Sequence, residues 1–219
     1  GEKLGVLTGI LYLSPADSVS TKRTLCPYAD IAGCKNGCLN TAGRGAFNNV
    51  QRARIRKTLM FLQYRDEFME LLALDIQRLQ RKANRENMVL AVRLNGTSDV
   101  QWELEYMENE NLMDMFPTVQ FYCYTKIPGR TVPANYHLTF SYSGVAGFER
   151  VVAKQLRHNP DTNLAVVFSG NLPDNWLGRT VVNGDASDVR YQDPAGVIVG
   201  LTAKGKAKND TSGFVVAGA

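Results

Sequence analysis

The chain has 219 residues, of which 44% are hydrophobic and 21% are charged, and its formal net charge is +4. This composition excludes intrinsic disorder, which requires few apolar residues and a high net charge, and it excludes collagen-like and low-complexity classes. No apolar run reaches the roughly 18–20 residues that a membrane-spanning helix needs. Residues 1–5 do not have the pattern of a secretory signal, so we expect a cytoplasmic protein with no membrane contact.

Apolar segments alternate with helical segments along the chain. The first apolar run, at 4–13, predicts a buried strand, and a loop rich in glycine and cysteine follows it at 18–45. Apolar residues at spacings of three and four then predict one long helix from about 48 to 82. The remaining pattern predicts short helices at 111–116 and 148–158, and strands at 88–94, 119–126, 136–142, 163–169, 179–182 and 197–201.

This order of elements predicts an α/β fold with parallel strands. Several strands are near-continuous apolar runs, which is typical of a parallel sheet covered on both faces, and they alternate with helices as βαβ units do. Because the chain is shorter than the roughly 250 residues of a complete eight-stranded barrel, we expect a partial (β/α)6 TIM-like barrel with the cysteine loop after its first strand. We expect one domain over residues 1–219, with a loosely ordered tail from about 209.

Polar and charged residues follow the predicted strands at the points where the strands end. The carboxyl ends of parallel strands lie at one edge of a sheet, which is where ligands bind in such folds. The same residue types are also common in turns, which is the alternative role for each of them. The candidates for binding a cofactor or ligand are Asn95, Asp99, Lys126, Ser143, Asp185, Asp188 and Lys204.

Three cysteines, Cys26, Cys34 and Cys38, lie in the loop after the first strand with the spacing Cx7Cx3C. Thiolates bind zinc, Cu(I) and iron–sulfur clusters, and this spacing lacks the CxxC pairs of structural zinc sites. Three thiolates without an obvious fourth ligand predict a [4Fe–4S] cluster with one iron open; the alternatives are zinc, three unrelated thiols, or a disulfide pair and one free thiol. We expect Cys123, in mid-strand, to be a small buried residue rather than a fourth ligand.

A basic segment surrounds the start of the predicted long helix. Cations at a helix N-terminus are electrostatically unfavourable, so a bound anion is one explanation and a solvated basic face is the other. A second basic run follows the last strand, and nucleic-acid binding through phosphate contacts becomes an alternative if the two patches meet. The basic residues are Arg44, Arg52, Arg54, Arg56 and Lys57 in the first segment and Lys204, Lys206 and Lys208 in the second.

Several segments resemble those of the phage "gene product 88" family, and together they cover most of the chain. The cysteine segment LYLSPADSVSTKRTLCPYADIAGCKNGCLNTAGRG is similar to that of the family, and so are the segments at 93–103, 122–126, 135–144 and 183–208. This resemblance implies a bacteriophage protein that acts in the cytoplasm of an infected host cell.

More distantly, the chain resembles the radical S-adenosylmethionine superfamily, which has three cysteines on the loop after the first strand of a partial barrel. In that superfamily the spacing is Cx3Cx2C, and the amino and carboxylate groups of S-adenosylmethionine bind the fourth iron. The resemblance implies a radical enzyme of unknown substrate, with S-adenosylmethionine or another small-molecule ligand at the open iron. The alternative is a cluster protein without S-adenosylmethionine that serves in electron transfer to a host redox partner, in redox sensing, or in binding nucleic acid or another partner.

Overall fold

The computed structural model describes residues 1–19 and 23–219, and a large, mostly parallel sheet is its main feature. The helices are α1 (Asn48–Gln63), α2 (Arg65–Arg85), α3 (Leu112–Met115) and α4 (Glu149–His158). The strands are β1 (Val6–Ile10), β2 (Val89–Arg93), β3 (Tyr106–Met107), β4 (Glu110–Asn111), β5 (Gln120–Thr125), β6 (Tyr136–Ser141), β7 (Leu164–Ser169), β8 (Asn175–Trp176), β9 (Arg179–Asn183), β10 (Ile198–Thr202) and β11 (Val216–Ala217).

Six strands pair in parallel in the order in which they occur along the chain, β1-β2-β5-β6-β7-β10. Strand β9 extends the sheet in parallel beside β10, and β8 lies antiparallel to β9 at the edge. Within the described residues β1 and β8 are not paired with each other, so the sheet does not close into a barrel. The α/β class, the parallel strands and the cysteine loop after the first strand are therefore confirmed, whereas the partial barrel stays a prediction.

The long helix predicted at 48–82 is two helices in the structure, which meet at Tyr64. The backbone of Tyr64 leaves the helical region, with φ −133° and ψ 60°. No Gly or Pro marks the break in the sequence. Tertiary packing accounts for it, because the rings of Phe61 and Phe68 lie on either side of the break, 5.3 Å apart, and Phe61 also contacts Trp102 in the same core.

The tail after residue 208 has more structure than the sequence predicts. Strand β6 pairs only with the first residues of β7, which leaves the end of that edge of β7 without a partner. Strand β11 occupies this position, where Val216 pairs with Phe168 and Ala217 pairs with Ser169. Phe214 is buried, so the segment is held by side-chain packing as well as by backbone hydrogen bonds.

None of the helices in the described residues has the length and hydropathy that a membrane crossing requires. Two hydrophobic clusters fill the space between sheet and helices. One contains Phe61, Phe68, Trp102 and Cys123. The other lies around Phe148 of the segment before α4.

Replacing Phe61 by Ala tests the packing at the break between α1 and α2. We expect Phe61→Ala to lower the free energy of unfolding by about 3–5 kcal/mol, as for other buried aromatic residues. Leu71 of α2 is 51% exposed, so Leu71→Ala should change it by no more than about 0.5 kcal/mol. Urea denaturation measures both, and equal losses in the two variants would contradict the assigned packing.

Candidate functional site

A cavity of about 220 Å³ lies at the carboxyl ends of the parallel strands. The thiols of Cys26, Cys34 and Cys38 line it from one side, and residues that follow β2, β5 and β10 line it from the other. We refer to this space as the cysteine cavity. The structure therefore brings the three predicted ligands to one place, at the edge of the sheet where the sequence analysis expects a site.

The cysteine loop packs against the rest of the protein through buried side chains and hydrogen bonds. Leu25, Ala29 and Ala32 are buried, so the loop contributes its own apolar residues to the interior. The carbonyl of Leu25 accepts a hydrogen bond from the backbone N–H of Asp99 at 2.8 Å. The carbonyl of Ala32 accepts one from the Ser143 hydroxyl at 2.7 Å. These two bonds attach the loop to the residues that follow β2 and β6.

Backbone N–H groups point at two of the three sulfur atoms. The Sγ of Cys26 accepts from the N–H of Ala16 at 3.3 Å, and the Sγ of Cys38 accepts from the N–H of Asn40 at 3.5 Å. Burial raises the pKa of all three thiols, and that of Cys26 reaches about 12. The free thiols therefore keep their protons at neutral pH, and a metal that binds them has to displace those protons.

Lys126 brings a buried positive charge to the same cavity. Its Nζ donates to the hydroxyl of Ser141 at 2.7 Å and to the carbonyls of Ser141 and Tyr142 at 3.2 and 3.4 Å. It also lies 5.6 Å from the ring centre of Phe148 and 5.0 Å from that of Phe214. Among the described residues, no carboxylate oxygen lies within 4.0 Å of this nitrogen. Burial lowers the pKa of Lys126, and thiolates at the cysteines oppose that shift.

Asn95 and Asp99 line the cavity as predicted, but their side chains are already engaged with the protein. The amide oxygen of Asn95 accepts from Ser98, Val100 and Trp102, and its amide nitrogen donates to the carbonyl of Val100. The carboxylate of Asp99 accepts from the hydroxyl of Thr125 and from the backbone N–H of Lys126, each at 2.7 Å. Both side chains therefore hold the loop after β2 in place and position Lys126.

The other four predicted residues differ in their relation to the cavity. Asp185 and Lys204 line it and form an ion pair with each other at 2.6 Å. Ser143 is buried against the cysteine loop, where its hydroxyl donates to the carbonyl of Ala32. Asp188 does not line the cavity, but it forms an ion pair at 3.0 Å with Arg93, which does. Neither Ser143 nor Asp188 is among the residues that line the cavity, so a ligand-binding role for these two side chains stays a prediction.

Sequence reasoning missed two arginines near the site. Arg93 ends β2, lines the cavity and lies over the ring of Tyr124 at 4.8 Å. Arg130 lies in the loop between β5 and β6. It forms a buried ion pair with Glu103 and approaches the carboxylate of Asp99 at 3.6 Å. Only the position of Arg93 at a strand end carried a signal in the sequence, since the ion-pair partners are far apart along the chain.

The position of Cys123 and the arrangement of possible ligands both bear on metal binding. Cys123 is fully buried in the core, where its Sγ accepts from the N–H of Asn95 at 3.3 Å, and it does not line the cysteine cavity. In residues 1–19 and 23–219, no group of three or more His, Cys, Asp or Glu side chains is arranged to hold a metal ion. A zinc ion needs its ligands within about 2.0–2.3 Å, so the three thiols do not form a ready site for one ion.

Comparison with known proteins identifies the class of the chain. A protein-family model matches residues 1–218, and the family that it describes consists of phage proteins. The chain belongs to the Gene product 88 family, which confirms the first resemblance found in the sequence. No curated protein and no solved structure matches the chain significantly. The resemblance to the radical S-adenosylmethionine superfamily therefore stays a prediction.

Replacing Asn95 by Ala tests whether this residue serves the loop rather than a ligand. We expect Asn95→Ala to lower the free energy of unfolding by about 2–4 kcal/mol, since each buried donor left without a partner costs about 1–3 kcal/mol. The matched control is Asn209→Ala, at an exposed asparagine with no such bonds. Denaturation curves that coincide for the two variants would contradict the structural role of Asn95.

Proposed function

We propose that this phage protein binds a [4Fe–4S] cluster in the cysteine cavity through Cys26, Cys34 and Cys38. The observation that carries the proposal is the buried ammonium group of Lys126, which has no carboxylate partner and faces the cavity that the three thiols line. Asp99 acts on Lys126 through its charge but forms no ion pair with it, since its carboxylate approaches Arg130 instead, and a buried charge without an ion-pair partner is costly. An anionic metal–thiolate cluster supplies a counter-charge.

The size and chemistry of the cavity favour a cluster over one ion. The three thiols line a space of about 220 Å³. A cluster of several iron and sulfide atoms spans a distance that one ion does not. Sulfur ligands are also the ones that iron–sulfur clusters use.

The surroundings of the sulfur atoms support a redox role for the cluster. The N–H groups of Ala16 and Asn40 donate to Cys26 and Cys38, and such bonds to sulfur raise the reduction potential of a cluster. Lys126 acts in the same direction, because a positive charge stabilises the reduced, more negative form. When bound, the cluster supplies one-electron chemistry, and these residues set the potential at which it does so.

Loss of one ligand tests the binding itself. After anaerobic reconstitution with iron and sulfide, we expect wild-type protein to be brown and Cys34→Ala to lose the colour together with most of its iron and sulfide. Cys123→Ser is the matched control, because its thiol lies outside the cavity. Full iron and sulfide content in Cys34→Ala would overturn the three-cysteine assignment. Loss of the cluster in a folded Cys123→Ser protein would make Cys123 a ligand instead.

Replacing Lys126 by Met tests the electrostatic argument. We expect the midpoint potential of the reconstituted Lys126→Met protein to be more negative than that of wild type, because the reduced form loses its nearby positive charge. The control is Lys204→Met at the same cavity, where Asp185 already compensates the lysine. A larger shift in the control than in Lys126→Met, measured by redox titration, would contradict the role assigned to Lys126.

A second candidate function is radical chemistry with S-adenosylmethionine. Three observations favour it: three cysteines line the cavity, Cys123 lies outside it, and six parallel strands follow one another in chain order, as a partial barrel requires. With three thiolates, one iron of a [4Fe–4S] cluster stays open for a small-molecule ligand. The binding of S-adenosylmethionine at that iron would supply radical chemistry. Without it, the cluster serves electron transfer, redox sensing or partner binding.

Electron paramagnetic resonance of the reduced, reconstituted protein distinguishes the two candidates. We expect a [4Fe–4S] signal in wild type, and a change of that signal on adding S-adenosylmethionine if the second candidate is correct. S-adenosylhomocysteine, which lacks the sulfonium charge, is the control ligand. A cluster signal that S-adenosylmethionine leaves unchanged would exclude the radical enzyme while leaving cluster binding in place.

A further inference from the structure

A second cavity, of about 620 Å³, lies at the start of α1 beside the cysteine cavity. Four cations line it: Arg44 before the helix, Arg54 and Lys57 within it, and Arg93 at the end of β2. No Asp or Glu is among its lining residues. We refer to it as the basic cavity. The basic segment that the sequence analysis singled out is therefore not simply a solvated face, since three of its five residues face one concave space.

The charges of this cavity are not balanced by the protein. Arg93 is paired with Asp188 on its other side. For Arg44, Arg54 and Lys57, no carboxylate oxygen of the described residues lies within 4.0 Å of a side-chain nitrogen. Three uncompensated positive charges in a concave space favour a ligand with more than one negative charge.

The side chain of Arg54 is fixed by its contacts, but not all of its hydrogen-bond donors have a partner. It is 7% exposed, and its Nη1 donates to the carbonyl and side-chain oxygens of Asn40. Its guanidinium lies over the ring of Tyr12 at 4.7 Å. Its Nε is buried without a hydrogen-bond partner. A buried arginine fixed by packing is preorganised, so little conformational entropy is lost when it binds an anion.

The N-terminus of α1 adds to the positive potential. Asn49, Val50 and Ala53 of this 16-residue helix line the cavity. Its first turn contains no acidic residue, and its N-cap, Phe47, has no capping side chain. The N–H of Val50 already donates to the side chain of Asn49 at 2.9 Å, but the positive end of the helix dipole still favours negative charge. The positive end of the helix dipole is unfavourable for the cations at this position, and a bound anion offsets that repulsion.

We propose that the basic cavity binds the phosphate groups of a small molecule of the nucleotide type. Arginine forks and helix N-termini are the groups that proteins use for phosphate, and a diphosphate matches three uncompensated cations better than a single carboxylate does. The cavity volume lies within the roughly 300–1,000 Å³ of small-molecule sites. Nucleic-acid backbones are instead held along extended grooves. This inference is independent of the cluster, and its test does not require iron.

Isothermal titration of the full chain at about 0.15 M salt, a physiological ionic strength, tests the proposal with pyrophosphate and with ADP as probes. We expect both to bind wild type, and we expect Lys57→Gln and Arg44→Gln each to weaken binding about tenfold or more, as loss of a charge-assisted hydrogen bond does. Both side chains are at least partly exposed, so the variants should fold. Arg52→Gln and Arg56→Gln are matched controls, because these exposed arginines of the same helix do not line the cavity.

Several results would overturn the proposal. Equal losses in the control variants would show a general charge effect rather than a site. Malonate, a dicarboxylate, binding as tightly as pyrophosphate would replace phosphate by carboxylate as the ligand chemistry. A single-stranded oligonucleotide binding more tightly than ADP, with a steep dependence on salt, would make the cavity part of a nucleic-acid surface. Absence of binding of pyrophosphate and ADP at millimolar concentration would exclude the site.

Discussion

The buried charge of Lys126 is the constraint around which the cysteine cavity is organised. Its backbone N–H is held by Asp99 from the loop after β2, and its ammonium group is held by Ser141 and Tyr142 at the end of β6. Burial alone would favour the neutral amine, and burial alone also keeps the nearby thiols protonated. The two effects are linked, because removal of the thiol protons by a metal favours the charged lysine.

The two cavities meet at Arg93, Gly96 and Leu39, which line both. Arg93 is held there by Asp188 and by the ring of Tyr124. The protein therefore places one buried positive charge, that of Lys126, in the cavity that the cysteines line, and several more in the neighbouring basic cavity. A ligand anchored in the basic cavity would lie next to whatever the cysteine cavity holds, so occupancy of one site is expected to influence the electrostatic environment of the other.

The main strands could be predicted within three residues at each end, because a parallel sheet requires apolar runs, and these are visible in the sequence. The break at Tyr64 could not, since it is imposed by Phe61 and Phe68 packing in one core rather than by a helix-breaking residue. The positions of Asn95 and Asp99 at the cavity were predicted, but their roles were not. Turns and ligand sites use the same polar residues, and only the hydrogen bonds distinguish the two uses.

The wall of the cysteine cavity depends on contacts between distant parts of the chain. Ser143 bonds to Ala32 across 111 positions, and Ser212 bonds to the carbonyl of Gly33 across 179 positions. Contacts of such long range form slowly, because the entropy of closing large loops has to be overcome before they are made. We therefore expect the cavity to be completed late in folding. On that expectation, a group that binds there meets an assembled sheet rather than a nascent loop.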